Sequence, residues 1–241
     1  MKEYHLEKFQ KGLGELSVSL SKEQMQQFLK YYELLVEWNS FMNLTAITEF
    51  DQVITRHFLD SLSIVKVTDL RKGEKVLDVG TGAGFPGIPL KIAFPELEVT
   101  LLDSLNKRVK FLNEVTGSLG LTGITAVHGR AEDFGRKMEY REQYDLVVSR
   151  AVANLSSLSE YCIPFVRQGG MFISYKSGKL EEERKQAQKA ITILGGEEKE
   201  TCYFRLSGTE EERSFVCIQK KRATPKQYPR KAGTPSKEPI R

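Results

Sequence analysis

Residues 78–90, DVGTGAGFPGIPL, follow the short apolar run Lys75-Val76-Leu77. The segment reads as a buried strand that stops at a glycine-rich turn and leads into a helix, with Pro86 and Pro89 in the helix's first turn. That order of strand, glycine loop and helix commits the chain to an open α/β sheet whose backbone can approach a nucleotide-like ligand. Asp103 closes the next apolar run, 99–102. It falls about 20 residues beyond the loop, where such folds set a carboxylate on ribose hydroxyls. One glycine suffices to turn a strand into a helix. Several glycines with a matched acid point to an adenosyl ligand.

The surrounding residues narrow that ligand. A triphosphate loop requires Lys-Ser or Lys-Thr after its last glycine, whereas Gly87 is followed by Ile88-Pro89. The spacing Gly82-x-Gly84-x-x-Gly87 does satisfy the dinucleotide fingerprint. Yet Pro86 removes an N–H where a pyrophosphate needs one, and Asp78 brings negative charge to the loop entrance. S-Adenosylmethionine carries a sulfonium cation and no phosphate, so it tolerates both. The tighter spacing Gly80-x-Gly82-x-Gly84, directly after an acid-ended strand, resembles the first motif of class I methyltransferases. The methyl donor is therefore favoured over a dinucleotide.

Periodicity supplies the frame. Ser21 to Gln24 fits a capping box. It opens an amphipathic pattern at Met25, Phe28, Leu29, Tyr32, Leu35 and Val36, which predicts a helix ending near Trp38-Asn39. A second helix is expected over about 51–67. From Lys75 onward, strands near 75–79, 98–102, 124–128, 145–149, 171–176, 201–206 and 214–219 alternate with helices at about 105–119, 155–166 and 180–194. The last two strands are separated only by 207–213, too short for a parallel crossover, so they should form an antiparallel hairpin. The expected architecture is α/β: a Rossmann-like, seven-stranded class I methyltransferase sheet whose last strands are antiparallel. It divides into an N-terminal helical extension (1–70), a core domain (71–220) and a tail (221–241).

A chain of 241 residues with 28 % charged and 40 % hydrophobic residues is ordinary for a globular protein with an ample core. No apolar run approaches the ~20 residues of a membrane span, and MKEYHLEKFQ lacks a signal-peptide pattern. Cys162, Cys202 and Cys217 are widely separated with no C-x-x-C, so neither disulfides nor a metal site is expected. A cytoplasmic protein follows. The net charge of +4 conceals an asymmetry. From Lys220 onward eight Lys/Arg face the single acid Glu238, while the other 219 residues hold 28 bases and 31 acids. Such a basic, proline-rich tail is expected to be extended or disordered until it meets a polyanion, and reads as an RNA- or DNA-contacting arm.

In open α/β sheets the ligand lies across the carboxyl ends of the strands, which selects candidate residues directly. The first strand end supplies Asp78, Gly80, Gly82 and Gly84, with Phe85 placed to pack on the ligand or to staple the loop. The second supplies Asp103 for the ribose and Ser104 at the next helix's N-cap. After the third lies Gly129-Arg130-Ala131-Glu132-Asp133, where Glu132 either meets adenine or caps a short helix. The fourth ends at 149–153, with Arg150 facing the donor methyl. An Asn/Asp-Pro-Pro-aromatic loop for adenine-amine methylation is absent from that place, and Cys162 does not follow the proline that cytosine C5 chemistry favours. An acceptor with its own lone pair, such as guanine N7, needs neither device and no general base, only alignment in a closed site. His57, beside Phe58 and Leu59, reads as structural or as an RNA contact.

Seven segments together make the likeness specific: EWNSFMNLTAI (37–47), RHFLDSL (56–62), DVGTGAGFPGIPL, LLDSLNKRVKFL (101–112), GRAED (129–133), SRAVANL (149–155) and TPKQYPRKAGTPSKEPI (224–240). They resemble the RsmG (GidB) family of bacterial 16S rRNA guanine-N7 methyltransferases over nearly the whole length. The resemblance implies S-adenosylmethionine as methyl donor and guanine 527, in the 530 loop, as acceptor. It places donor binding at Gly80, Phe85, Ala131, Glu132 and Arg150. It also implies that Asn43, Arg56, His57 and the tail, through Lys226, Arg230 and Lys231, face 16S rRNA or a 30S particle. A monomer without metal is expected.

Overall fold

The computed structural model describes residues 4–150, 152–178 and 180–241. Parallel strands β1 (Lys75–Val79), β2 (Glu98–Asp103), β3 (Ile124–His128), β4 (Tyr144–Arg150) and β5 (Val166–Ser177) lie in the order β3-β2-β1-β4-β5. The antiparallel β8 (Glu212–Lys220) pairs with β5, and its other edge takes β6 (Gly196–Glu198) and β7 (Cys202–Arg205). The expected hairpin is present as β7 and β8. Its outer strand lies within the expected 201–206, and a short strand that was not expected, β6, precedes it, with Lys199 N bonding Cys217 O at 2.8 Å between the two. The seven-strand plan thus carries an eighth, three-residue piece at its edge.

Side-chain alternation assigns the two faces. Val76, Val148 and Ile173 join one core, whereas their neighbours Leu77, Val147 and Phe172 join the other. The first core is completed by helices α1 (Glu7–Glu15) and α2 (Lys22–Met42) through Phe9, Phe28 and Leu35. The second is completed by α8 (Leu155–Cys162) and α9 (Glu181–Ile193).

Ser21 and Gln24 form the capping box of α2, with bonds of 3.1 and 2.7 Å. The helix runs on past Asn39 because Trp38 packs on Phe41 and Phe111. It stops where Asn43 adopts a left-handed conformation, φ 51°. The second expected helix is a succession of four stretches with three kinds of turn. It comprises α3 (Phe50–Val53), a π-helical stretch Ile54–Leu59, α4 (Asp60–Leu62) and a 3₁₀ turn Ser63–Lys66. The remaining helices, α5 (Gly87–Ala93), α6 (Asn106–Ser118), α7 (Ala131–Phe134) and α10 (Thr234–Lys237), follow β1, β2, β3 and β8.

The tail overturns the expectation drawn from its composition. It is folded onto the body rather than extended or disordered. Arg141 donates to the carbonyls of Thr224 (2.7 Å) and Tyr228 (2.8 Å), and Arg136 to that of Pro229 (2.8 Å). Arg230 grips the buried carboxylate of Glu160 at 2.7 Å. A segment too polar to form a core is held instead by charge-assisted hydrogen bonds to its backbone.

Candidate active site

The strand order reverses between β1 and β4, so their carboxyl ends open a crevice at the switch point. The glycine loop forms its floor. Gly80, Gly82 and Gly84 all have positive φ, +72°, +64° and +98°. A Cβ at Gly80 would meet Val152 Cγ2 at 2.6 Å, so the loops after β1 and β4 approach through that missing side chain. Gly84 serves packing, because a Cβ there would meet Ile88 Cδ1 at 2.5 Å and the Tyr31 hydroxyl at 2.7 Å. A cleft of about 250 Å³ opens above the loop, lined among others by Gly80, Ser104, Ala131, Glu132, Tyr161 and Ser236.

Asp78 lies beneath the loop and does not line that cleft. Its Oδ2 accepts from Thr81 Oγ1 (2.6 Å) and Gly87 N (2.8 Å), while Oδ1 is buried with no hydrogen-bond partner among the described residues. Burial outweighs those bonds and lifts the carboxyl to about 6. Pro86 sits at the N-cap of α5, one position before the first turn in which it was expected. Phe85 is buried between Tyr31 (5.3 Å) and His57 (4.4 Å), so it staples the loop to the helices.

Asp103 bridges two loops. Its Oδ2 accepts from Gly82 N and its Oδ1 from Leu105 N, both at 2.9 Å. The N-cap of α6 is Leu105, with no side-chain cap bond, so Ser104 is not the cap it was expected to be; it lines the cleft instead. Glu132 caps no helix. Its Oε1 accepts from Gly233 N at 2.8 Å, and Ala131 beside it faces the same cleft.

Arg150 lies apart from the other candidates. It lies along a second cavity, of about 650 Å³, on the other side of β4, rather than in the cleft above the glycine loop. Its guanidinium donates to Asp60 Oδ2 (2.7 Å) and to the Arg56 carbonyl (3.0 Å), and stands 5.1 Å from the Phe85 ring. Arg213 takes the other Asp60 oxygen at 3.1 Å and joins Glu211 at 2.6 Å. Arg56 closes the chain on Glu211, also at 2.6 Å. The charged residues that line the cavity balance: Arg150, Lys176 and Arg213 stand against Asp60, Glu183 and Glu211, with Lys176 on Glu183 at 2.6 Å.

His57 is buried, its Nε2 3.0 Å from Thr45 Oγ1. Burial, helped by the Arg150 charge, drives the imidazole down to about 3, so it is neutral at physiological pH. The expected RNA-facing set therefore divides. His57 is internal, and Arg56 and Arg230 are committed to Glu211 and Glu160, while Asn43, Lys226 and Lys231 are exposed. Ala151, within the 149–155 motif, lies outside the described residues. Sequence reasoning missed Asp60, Lys176 and Arg213. The strand-end rule, had it been extended to β5, would have selected Lys176.

The Asp78 carboxyl gives a pH test. Its folded value, about 6, lies above the ordinary 3.8, so between those values the folded state holds more protons and stability falls as pH rises. Asp78→Asn removes this dependence. Whatever constant offset the buried amide introduces, the variant's stability relative to the parent should improve by about 2 kcal/mol between pH 4 and pH 7. Urea denaturation at both pH values checks it, and a pH-independent difference would refute the buried, raised carboxyl.

Among the described residues, no group of three or more His, Cys, Asp or Glu could hold a metal ion. No described helix is long and apolar enough to cross a membrane. Comparison with known proteins converges on one family. The family model described as rRNA small subunit methyltransferase G matches residues 24–214. A ribosomal RNA small subunit methyltransferase G of Lachnoclostridium phytofermentans is 56% identical over 232 residues, 96% of each chain. One of Exiguobacterium sibiricum is 51% identical over 234 residues, 97% of this chain and 98% of its own. In fold, the chain is similar to a mutant of MtNAS solved in complex with S-adenosylmethionine. The TM-score is 0.53 at 17% identity, over 83% of this chain and 73% of that one.

Proposed function

Because the chain belongs to the rRNA small subunit methyltransferase G family, we propose that it methylates N7 of guanine 527 in the 530 loop of 16S rRNA. S-Adenosylmethionine is its methyl donor, and when bound it supplies an electrophilic methyl carbon on a sulfonium. The cleft suits that group. Loop residues 80–87 contain no basic side chain, and Gly80 leaves open the space that a Cβ would take from Val152. Gly80, Ser104 and Ala131 would hold the donor, with Asp103 and Gly82 at the ribose side. Asp78 and Phe85 act one layer below, by fixing the loop.

The observation that carries the acceptor reading is the second cavity, across β4 from the first. The Arg150 and Arg213 guanidiniums and the Lys176 ammonium along it offer hydrogen-bond donors suited to a phosphate-bearing nucleotide. Arg150 is fixed by Asp60 and orients that nucleotide rather than donating a proton. No general base is poised among the described residues: His57 is held near 3, Asp60 and Glu183 are each ion-paired, and burial pushes the Cys162 thiol well up. A ring nitrogen with a free lone pair reacts without one, so alignment and exclusion of water carry the rate. Exposed Asn43, Lys226 and Lys231 are the RNA-facing residues of this reading, which has a cytoplasmic monomer acting on 16S rRNA or a 30S particle.

Nucleoside mass spectrometry with site mapping of 16S rRNA, from cells with and without the gene, tests it. Loss of one 7-methylguanosine in the 530 loop, restored by the purified protein with S-adenosylmethionine, is the expected result. An unchanged modification map would overturn the acceptor.

A further inference from the structure

The C-terminal segment contacts both rims of the donor cleft. From the rim after β3, Glu132 Oε1 accepts from Gly233 N at 2.8 Å. On the rim after β4, helix α8 supplies the rest. Ser157 Oγ donates to the Pro235 carbonyl at 2.7 Å, Ser156 Oγ to that of Ile240, and Glu160 accepts from Arg230 N at 2.6 Å. Tyr161 of the helix and Ser236 of the segment both line the cleft, and Ser236 Oγ donates to the Gly233 carbonyl at 3.0 Å. Pro235 is buried against this helix.

We propose that this strap, residues 224–241, is the outer wall of the donor cleft, fixing the distance between its rims, and that Ser236 and Tyr161 meet the adenosyl ligand there. The inference rests on the reading that the glycine-loop cleft takes S-adenosylmethionine. Its physical basis is preorganisation. Two loops on different strands drift independently, and a peptide bonded to both removes that freedom before the ligand arrives. Binding and strap docking then stabilise each other, because coupling between two events is reciprocal. The cationic groups Lys226 and Lys231 remain exposed on the strap, so its role toward the donor is separable from any role toward RNA.

Calorimetric titration of S-adenosylhomocysteine into the full-length protein, the Tyr161→Phe/Ser236→Ala double variant and the Pro235→Gly variant tests the proposal. Affinity for 16S rRNA is measured in parallel at two salt concentrations. The parent should bind. The variants should bind the donor analogue about tenfold more weakly, within the usual span of coupling energies, with RNA affinity and its salt slope unchanged. Thermal melts confirm that the variants are folded. In the parent, trypsin cleavage after Lys231 and Lys237 should slow when S-adenosylhomocysteine is present, a readout that needs no variant. Equal donor affinity together with ligand-independent cleavage would overturn the proposal. So would weakened RNA binding with donor affinity intact, which would make the strap an RNA arm. Failure of the parent itself to bind S-adenosylhomocysteine would remove the donor-site reading as well.

Discussion

Gly80→Asp should abolish donor binding while leaving the chain folded. At φ +72° a non-glycine residue is strained by about 1–2 kcal/mol. The added Cβ meets Val152 Cγ2 at 2.6 Å. Val152 is 41% exposed, so it can turn away, and the stability cost should stay near the backbone strain. The carboxylate, in contrast, enters the cleft itself. Seating a ligand over it desolvates that charge at a cost of several kcal/mol, so affinity for S-adenosylhomocysteine should fall by about 100-fold or more. Calorimetry on a variant whose melting profile shows a folded protein measures it. Donor affinity within a few-fold of the parent would mean that the ligand lies elsewhere.

Asp60→Ala should produce the largest loss of stability. The Asp60 carboxylate separates two guanidiniums, at 2.7 Å from Arg150 and 3.1 Å from Arg213, whose side chains are only 15% and 18% exposed. Removing it leaves two largely buried cations facing one another, and breaking a buried pair in this way costs about 3–5 kcal/mol. Arg150 would also lose the contact that fixes it over the Phe85 ring. Methyl transfer to RNA should drop by about 10²-fold, the usual consequence of an ångström-scale misplacement. Chemical denaturation and single-turnover methylation give the two numbers. A loss below about 1 kcal/mol would show that Arg150 and Arg213 find other partners and that the network is not what orders the cavity.

Much of the fold follows from patterns that span only a few residues. The β1 run Val76-Leu77 sends alternate side chains to opposite cores, and the capping box at Ser21 starts α2 where the sequence signal stands. The glycine triplet was readable for the same reason: a turn needing positive φ admits few residue types. The structure then assigns several of those residues different partners. Phe85 staples the loop, Asp103 ties Gly82 to Leu105, and Asp78 supports the loop from below.

What composition misjudged was the tail. Four prolines and a surplus of lysine and arginine deny it a core of its own. Its order comes from Arg136, Arg141 and Glu160, which lie 70 to 93 residues away in the chain. The charged groups behave alike. Arg150 meets Asp60 across 90 residues and Arg56 meets Glu211 across 155, so no local window pairs them.

The sequence by itself determined the strand–loop–helix that receives an adenosyl group and the alternation that makes an α/β sheet. Both arise from φ/ψ preference and side-chain period, which act between near neighbours. Only the tertiary structure decided which charges neutralise one another, which ones remain exposed, and that the tail folds back onto the body beside the cleft. Those outcomes depend on strand order and on burial. A carboxylate or guanidinium taken out of water must find its partner wherever the packed chain supplies one.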